Sequence, residues 1–341
     1  MVIIAVVAAV AIAIGIVNSP AGLSPVPRLT TSAAVKARRS TLLCKNRHKD
    51  ADCDYWAATG GCEETPGWMA VYCGASCGDC SMLNPEIRCD ADRIGYKPVA
   101  AFQPGSISKL FESLPSRFPQ YNVTYLSRPP TGPYVVSFSN FLSDEEVDAM
   151  IDKAGDLRRS TDQGSVDEDG VQEQVKSQGR TSENAWCDAD CESDPLVEGV
   201  SNRISQVTQI PPSHFESFQV LRYQNGQEYK RHHDMSEEDN NILCGARILT
   251  FFLYLSDVEE GGGTRFTDMD NPVTMQPVRG SAILWPSVLD EDPTKQDPLT
   301  HHQALPVTKG VKFAANHWIH QYDYRTPNLW GCTGSFTEVE T

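Results

Sequence analysis

The sequence predicts a mainly β protein with flanking helices, built on a jelly-roll core (a double-stranded β-helix) and preceded by a small disulfide-rich module. The order of elements predicts the core, because helical patterns come first and short strand-like runs, separated by Gly, Asp and Pro turns, follow Pro212. Six cysteines within residues 44–80 predict the module, since so short a segment cannot bury a sufficient core without disulfides. The 341 residues leave room for one domain of about 200 residues beside it.

The chain begins with one long apolar run, Val2–Val17. A spanning helix needs about 20 residues, so this run is more typical of a signal-peptide core, and we predict a signal peptide at residues 1–22. An uncleaved signal anchor and a truncated N-terminus stay open, because the Lys or Arg that usually precedes such a core is missing. Residues 23–43, rich in Pro, Ser, Thr and Ala, are predicted to be a linker.

The eleven cysteines and the entry signal together indicate an oxidising compartment. We therefore expect the protein in the endoplasmic reticulum lumen or anchored to an ER or Golgi membrane, with a retained N-terminal anchor as its one membrane contact. A sequon at Asn122 for N-glycosylation fits that compartment. The net charge of −16 excludes nucleic acid as a partner of the bulk surface and favours cations or basic peptides.

The remaining boundaries follow from composition and periodicity. Residues 81–132, rich in proline, are predicted to be a connector wrapped on the next domain, with one short helix around Ser106–Ser113. The main domain is expected at residues 133–326, and a C-terminal tail at residues 327–341.

Two helices and a series of strands are predicted within the main domain. Ser143 begins a capping box that opens the first helix, and Asp194 with Pro195 opens the second. The predicted apolar face of the second helix comprises Leu196, Val200, Ile204 and Val207. The strand candidates are Tyr134–Phe138, Phe215–Tyr223, Arg247–Leu255, Gly263–Thr267, Ser281–Trp285 and Val311–His320.

A candidate metal site lies in the segment Tyr229–Asp234. Residues two apart in a strand point to the same face, so His232 and Asp234 can reach one metal while His233 points away. A neutral imidazole and a carboxylate offer mixed nitrogen and oxygen ligands, which suit Fe(II) in a site of two histidines and one carboxylate that leaves positions open for further ligands. The His-x-Asp pattern alone also arises by chance, as a surface histidine beside an acidic loop.

A second cluster, His301-His302, is followed by Lys312 on a strand-like segment. Lysine facing into a sandwich is costly without an anionic partner, and a dicarboxylate such as 2-oxoglutarate would be such a partner. An outward-facing lysine on an edge strand is the alternative. Lys312 alternates onto one face with Ala314, Asn316, Trp318 and His320.

The cysteine-rich segment resembles the ShKT module. The resemblance rests on Cys53-Asp54-Tyr55-Trp56, Gly60-Gly61-Cys62, Pro66-Gly67-Trp68 and the spacing of Cys73, Cys77 and Cys80. It implies the disulfides Cys44–Cys80, Cys53–Cys73 and Cys62–Cys77, whereas spacing alone leaves many connectivities open. A zinc site is disfavoured, because His48 is the only histidine in the stretch and paired Cys/His spacings are absent.

Residues 133–325 resemble the prolyl 4-hydroxylase family. The likeness rests on Arg180-Thr181-Ser182, Leu221-Arg222-Tyr223, His232–Asp234, the stretch from Arg247 to Thr264, Gly280 to Trp285, His302 to Lys312 and Trp318-Ile319-His320.

The resemblance implies a set of roles. His232, Asp234 and His302 would ligate Fe(II), while Lys312 would pair with the co-substrate 2-oxoglutarate, with Tyr223 and Thr264 as hydrogen-bond donors. The residues around the peptidyl proline would be Tyr229, Arg247, Trp318 and His320. Ascorbate would rescue oxidised enzyme. The departures from the family pattern are Gly263, Leu305 and Phe313, none of which removes a ligand.

The remaining cysteines are assigned in part. Cys187 and Cys191 are predicted to close a small disulfide loop, while Cys89, Cys244 and Cys332 stay unassigned and the odd total leaves at least one thiol unpaired.

The function that this resemblance implies is 4-hydroxylation of peptidyl proline, with release of succinate and carbon dioxide, on a proline-rich or collagen-like polypeptide. One alternative is the same chemistry on another residue such as lysine. Another is a ShKT-mediated binding protein with a degenerate oxygenase domain. A zinc hydrolase is disfavoured, because the sequence has no His-Glu-x-x-His segment.

Overall fold

A computed structural model describes residues 44–166 and 172–333. The expected signal segment, the linker and the last residues of the expected tail lie outside this part of the chain. Among the helices of the described residues, none is both long and apolar enough to cross a membrane.

The cysteine-rich module consists of short helices tied by disulfides. Cys53, Met69, Tyr72 and Cys73 form its small core. Its helices are α1 (Asp50–Ala58), α2 (Gly61–Glu64), α3 (Pro66–Tyr72) and α4 (Gly74–Cys77). Its disulfides, Cys44–Cys80, Cys53–Cys73 and Cys62–Cys77, are the pairs that the resemblance implied.

The larger domain is a sandwich of antiparallel sheets. The major sheet has eight strands in the order β1-β2-β13-β9-β16-β7-β6-β3. These strands are β1 (Thr124–Ser127), β2 (Val135–Phe138), β3 (Arg158–Arg159), β6 (Glu183–Trp186), β7 (Gln219–Tyr223), β9 (Arg247–Tyr254), β13 (Ala282–Pro286) and β16 (Lys312–His320).

The minor sheet has four strands in the order β12-β11-β14-β8. They are β8 (Tyr229–His232), β11 (Thr264–Phe266), β12 (Val273–Met275) and β14 (His302–Ala304). Two smaller ladders join β4 (Thr161–Val166) to β5 (Gln172–Lys176), and β10 (Glu260–Gly261) to β15 (Val307–Lys309). Tyr223, Phe252, Phe266 and Trp285 from both sheets share one buried cluster, so the two sheets face each other and the predicted fold class is confirmed.

Helices cover the other face of the major sheet and bury a second apolar cluster. The helices of this region are α5 (Pro85–Arg88), α6 (Ser106–Arg117), α7 (Asp144–Lys153), α8 (Ala189–Glu192), α9 (Pro195–Thr208) and α10 (Arg325–Leu329). Short 3-10 helices span Cys80–Leu83, Pro119–Tyr121, Pro212–His214, Glu237–Asn241 and Pro298–Thr300.

The helix starts follow the predicted capping, but one predicted core residue is wrong. Ser143 and Glu146 form both hydrogen bonds of the capping box, and the Asp194 side chain accepts from the backbone N–H of Leu196. Leu196 is 42% exposed, whereas Val197 is buried. The buried stripe of α9 therefore begins one residue later than the sequence suggested.

The segment expected to be a connector is part of the folded domain. Its helix runs on to Arg117, and Leu110, Phe111 and Leu114 on that helix enter the second apolar cluster. β1 then adds an edge strand to the major sheet. Residues 81–132 therefore help to form the core, because the amphipathic helix needs the sheet to cover its apolar face.

The first residues of the expected tail are also bound to the rest of the protein. Cys332 forms a disulfide with Cys89, 243 residues away. Arg88 donates to the backbone carbonyl of Trp330 at 3.0 Å, and a side chain at Gly67 of the module would collide with the backbone of Trp330. Residues 327–333 thus hold the cysteine-rich module and the larger domain together.

Strand limits differ by a few residues from the prediction. Phe215 makes only an isolated bridge to Ile319, so the predicted strand Phe215–Tyr223 shortens to β7. The other predicted strands are present, and none of their ends is shifted by more than one residue.

Candidate active site

Three side chains that can hold a metal ion converge at one end of the minor sheet. The ligand atoms of His232, Asp234 and His302 all lie within 4.8 Å of one another. Nε2 of each histidine is 3.7 Å from a carboxylate oxygen of Asp234. β8 ends at His232, so Asp234 reaches the site from just beyond the strand rather than from within it.

Strand register distinguishes His302 from its neighbour His301. His302 lies directly opposite His232 in the antiparallel β8–β14 pair, and their ring centroids are 4.2 Å apart. Opposed residues of such a pair share one face of the sheet. His301 instead packs on His233, with ring centroids 4.9 Å apart. Strand alternation could not make this distinction, and in the sequence only the family resemblance favoured His302.

Backbone carbonyls orient both imidazoles. Nδ1 of His232 is 2.8 Å from the carbonyl of Lys230, and Nδ1 of His302 is 3.0 Å from the carbonyl of Thr300. A carbonyl can only accept, so each Nδ1 carries the proton and each Nε2 presents a lone pair to the centre of the site.

Thr250 fixes the carboxylate of the site and was missed by sequence reasoning. Its hydroxyl donates to Oδ2 of Asp234 at 2.6 Å. Burial would raise the pKa of Asp234, but His302, His232 and this hydrogen bond lower it to about 2. Burial, followed by the neighbouring His302, lowers the pKa of His232 to about 3. The site therefore presents a carboxylate and a neutral imidazole at neutral pH, as metal ligation requires.

Lys312 is buried without a carboxylate partner among residues 44–166 and 172–333. It is 1% exposed, and its ammonium donates to the carbonyl of Gly262 at 2.7 Å. Nζ lies 5.2 Å from the ring centroids of both Tyr223 and Phe252. Burial lowers the pKa of Lys312 to about 7. The inward orientation is therefore correct, and the outward-facing alternative is wrong.

Tyr223 and Thr264 lie near this lysine. Tyr223 is the strand partner of Lys312, and burial raises the pKa of its phenol. The hydroxyl of Tyr254 donates to Oγ1 of Thr264 at 2.9 Å, which leaves the Thr264 proton free for another acceptor. Tyr223 and Thr264 line a small cavity together with His232 and His302.

The residues fit Fe(II) and 2-oxoglutarate. Two imidazole nitrogens and one carboxylate oxygen form the donor set that favours non-haem Fe(II) and leaves positions open. Lys312 is a buried cation whose desolvation a ligand carboxylate would offset. Tyr223 and Phe252, whose ring centroids each lie 5.2 Å from Nζ of Lys312, line the same cavity as His232 and His302.

A buried ionic network lies beside the triad. Glu216 binds Arg247 through two contacts of 2.5 and 2.9 Å, and accepts from Nε2 of His320 at 2.8 Å. The guanidinium of Arg247 lies 3.8 Å from the ring centroid of Trp318. Arg247 also helps to lower the pKa of Asp234. Sequence reasoning missed Glu216, which joins two of the predicted substrate residues.

His320 itself lies behind this network. It is buried, and its Nδ1 donates to the carbonyl of Gly245 at 2.7 Å. Burial opposes its charged form, but hydrogen bonds with Cys244 and Glu216 raise its pKa to about 10. Both ring nitrogens therefore have partners, and His320 contributes a fixed positive charge to the network.

Tyr229 forms the wall next to His232. The two rings are stacked with centroids 3.5 Å apart, and the Arg180 guanidinium lies 5.0 Å from the Tyr229 ring centroid. Arg180 donates to Oε1 of Gln219 at 2.6 Å. The segment Arg180-Thr181-Ser182 carried part of the resemblance, yet sequence reasoning gave Arg180 no role.

The remaining predicted residues are placed as follows. Cys187 and Cys191 form a disulfide, and the free thiol among the described residues is the buried Cys244. Asn122 is exposed.

Comparison with known proteins gives the following relatives. The profile of the 2OG-Fe(II) oxygenase superfamily matches residues 218–320, and the ShK domain-like profile matches residues 43–80. Probable prolyl 4-hydroxylase 9 of Arabidopsis thaliana is 34% identical over 207 residues, which cover 56% of this chain and 70% of that protein. Prolyl 4-hydroxylase subunit alpha-1 of Mus musculus is 32% identical, over 57% of this chain and 36% of that protein.

A solved structure is also similar. The viral collagen prolyl hydroxylase from Paramecium Bursaria Chlorella virus-1, in its 2OG complex, is 28% identical with a TM-score of 0.43, over 55% of this chain and 97% of that chain.

The matched oxygenase profile and the metal-binding cluster it contains define the class of protein, a 2-oxoglutarate-dependent dioxygenase with an ShK domain-like module. Within that class, the chain belongs to the prolyl 4-hydroxylase family.

Proposed function

We propose that this dioxygenase 4-hydroxylates proline residues within polypeptides, using Fe(II), 2-oxoglutarate and O2 and releasing succinate and carbon dioxide. One observation carries the proposal. His232 and His302 line the same cavity as Tyr223 and Phe252, whose rings surround the buried ammonium of Lys312. A metal site and a site for the far carboxylate of a dicarboxylate are therefore built into one inter-sheet space.

Each residue of the site has a specific task in this proposal. His232, Asp234 and His302 hold the iron, and Thr250 keeps the carboxylate in place. Lys312 binds the far carboxylate of 2-oxoglutarate, with Thr264 and Tyr223 as further donors. Bound Fe(II) supplies the chemistry that couples decarboxylation of 2-oxoglutarate to oxygenation of a C–H bond. The protein orients the reactants and excludes water.

The substrate side of the site is the wall beside the triad. Tyr229 covers His232, and Arg247 presents a guanidinium that Glu216 holds against Trp318. A peptide carbonyl offers an acceptor for Arg247, and a proline ring is an apolar body that packs on the aromatic faces of Tyr229 and Trp318. His320 acts through Glu216, because Glu216 and the backbone occupy both of its nitrogens.

We further propose a proline-rich or collagen-like substrate in the secretory pathway, in the ER lumen or at an ER or Golgi membrane. The five disulfides support an oxidising compartment. The N-terminal segment would then be a signal peptide or an anchor, and the exposed Asn122 would carry a glycan. Ascorbate would keep the iron reduced.

The test is peptide-stimulated turnover. Enzyme loaded with Fe(II) and ascorbate is expected to release succinate from 2-oxoglutarate faster when a proline-rich peptide is present, and the peptide should gain one oxygen by mass. Chromatography of the hydrolysed peptide should identify 4-hydroxyproline. The His302→Ala variant serves as the inactive control. An oxygen found on lysine, or no stimulation by any proline-containing peptide, would contradict the proposal.

A further inference from the structure

Asn316 lies on the inner face of β16, between Lys312 and Trp318. Side chains of a strand alternate between its two faces, so these three residues share one face. Asn316 is 8% exposed and lines the small cavity that His232 and His302 also line. It is therefore a polar side chain of the site, yet none of the roles proposed above involves it.

The register of the major sheet places Asn316 beside the support of the metal ligands. Trp318, two residues further along the same face, lies directly opposite Thr250 on β9, and the Thr250 hydroxyl donates to Asp234. Asn316 itself lies opposite Phe252 on β9, and Phe252 lines the same cavity. Asn316 thus occupies the position next to the one that holds the carboxylate of the triad.

A chain of hydrogen bonds fixes the orientation of the Asn316 amide. Arg180 donates from Nη2 to the Gln219 side chain at 2.6 Å, and a guanidinium can only donate, so the atom of Gln219 that it meets is the oxygen. The Asn316 atom that lies 3.3 Å from this same oxygen is therefore its amide nitrogen. One N–H of that nitrogen is used by Gln219, and the other forms no hydrogen bond within the described residues.

Two neighbours of Asn316 also have donors without acceptors. Nε1 of Trp318 and Nε of Arg180 are buried and have no hydrogen-bond partner within residues 44–166 and 172–333. A buried donor without an acceptor is costly, so a ligand that fills this space should supply oxygens. A carboxylate has two, and as an anion it accepts more strongly than a neutral carbonyl.

We propose that Asn316 binds the carboxylate at the metal end of 2-oxoglutarate, which is the carboxylate next to the 2-oxo group. The free N–H of Asn316 donates to one of its oxygens, while Gln219 and Arg180 hold the amide in the required orientation. Asn316 then acts on the 2-oxo acid end of the ligand, and Lys312 acts on the far carboxylate. The inference rests on the proposed use of 2-oxoglutarate, but not on the identity of the residue that is hydroxylated.

The test compares two ligands that share the 2-oxo acid end. 2-Oxoglutarate has a far carboxylate, and 2-oxobutyrate lacks it. Binding of each ligand to the Mn(II)-loaded protein is measured without oxygen, through the water-proton relaxation of the bound Mn(II). Asn316→Leu keeps the size of the side chain but removes its N–H groups, and we expect it to weaken binding of both ligands by about tenfold. Asn316→Asp, which places an anion there, should weaken both further.

The matched control is Lys312→Met. It should weaken binding of 2-oxoglutarate and leave binding of 2-oxobutyrate unchanged, because that ligand has no far carboxylate. The affinity for Mn(II) without a 2-oxo acid should be unchanged in the Asn316→Leu and Lys312→Met variants, since neither residue is a metal ligand. This measurement also shows that the metal site of each variant is folded.

Unchanged binding of both ligands by Asn316→Leu would overturn the inference. So would a loss for 2-oxoglutarate alone, because it would place Asn316 at the far carboxylate, or an equal loss of Mn(II) affinity, because it would make Asn316 a support of the metal. A raised KM for the peptide with unchanged ligand binding would assign Asn316 to the substrate instead. The proposed function fails separately, if the unaltered protein binds 2-oxoglutarate but hydroxylates no peptide, and the binding comparison then still decides the role of Asn316.

Discussion

His232 and His302 face each other across the β8–β14 pair, with ring centroids 4.2 Å apart. Because hydrogen bonds between the strands set this separation, the two imidazoles are held ready before any metal arrives. The carboxylate of Asp234 completes the set from just beyond the strand and is held there by Thr250. Strand pairing therefore positions the two histidines and a side-chain hydrogen bond positions the carboxylate, and each arrangement can be tested by itself.

The histidine pair gives the first prediction. His302→Ala should abolish the rise in Tm that Mn(II) produces in the unaltered protein, because only two of the three ligands remain and they bind the ion too weakly. His301→Ala should keep that rise, since His301 packs on His233 and lies outside the triad. Thermal unfolding with and without Mn(II) measures both variants. Equal losses in the two variants would show that the ligand assignment is wrong.

Thr250→Val tests the support of the carboxylate. Valine keeps the shape of threonine but cannot donate to Asp234, so the carboxylate loses one of its fixed contacts. We expect metal affinity to fall by about tenfold, the usual loss when a partner of a ligand is removed. Titration with Co(II), followed by absorption, measures the affinity. Thr250→Ser, which keeps the hydroxyl, should restore most of it.

Glu216→Gln tests the network on the substrate side. The variant keeps a hydrogen bond to Arg247 but removes the charge that balances Arg247 and His320, so both cations lose their buried counterion. We expect KM for a peptide to rise about tenfold or more, while the affinity for Mn(II) stays within about twofold. A change in metal affinity as large as the change in KM would place Glu216 in the metal site instead.

The Cys89–Cys332 disulfide tests how the module is attached. Replacing both cysteines by serine should lower the free energy of unfolding by about 2–5 kcal/mol, because the bond closes a loop of 243 residues. The matched control is the Cys187–Cys191 pair, which is only four residues apart. Removal of this second disulfide should lower the free energy of unfolding by a smaller amount. Urea denaturation, followed by tryptophan fluorescence, compares the two variants. Equal losses in the free energy of unfolding would show that the Cys89–Cys332 disulfide does not have the larger structural role.

Much of the fold and two of the candidate metal ligands, His232 and Asp234, could be predicted from local signals, whereas His302 came from the family resemblance. Strand patterns, turn residues and the His232–Asp234 spacing are all contained in short segments. Thr250 and Glu216 could not be found in this way, since each acts on a residue in another strand or segment and only the register of the sheets brings them together. The pairing of Cys89 with Cys332 could not be predicted either. The two cysteines are 243 residues apart, and only the folded chain brings them together.

The last prediction concerns Lys312, whose buried ammonium has no carboxylate partner among the described residues. Burial lowers its pKa from 10.5 to about 7 in the ligand-free protein. Between these two values the unfolded chain binds more protons than the folded one, so Lys312 makes stability rise with pH over that range. Below pH 7 the folded protein carries the full cost of the buried charge.

Lys312→Met should therefore stabilise the ligand-free protein below pH 7, by about 1–4 kcal/mol, and should remove the rise in stability between pH 7 and 10.5. The same variant should lose the stabilisation that 2-oxoglutarate gives in the presence of Mn(II), because the far carboxylate loses its cation. In the unaltered protein, binding of 2-oxoglutarate above pH 7 should take up a proton, which calorimetry in buffers of different ionisation enthalpy measures. Lys312→Arg is the control that keeps the charge, and it should bind without proton uptake. A Met variant that is less stable than the unaltered protein at every pH would contradict this prediction. It would show that Lys312 stabilises the fold, rather than lowering the free energy of unfolding in order to bind the ligand.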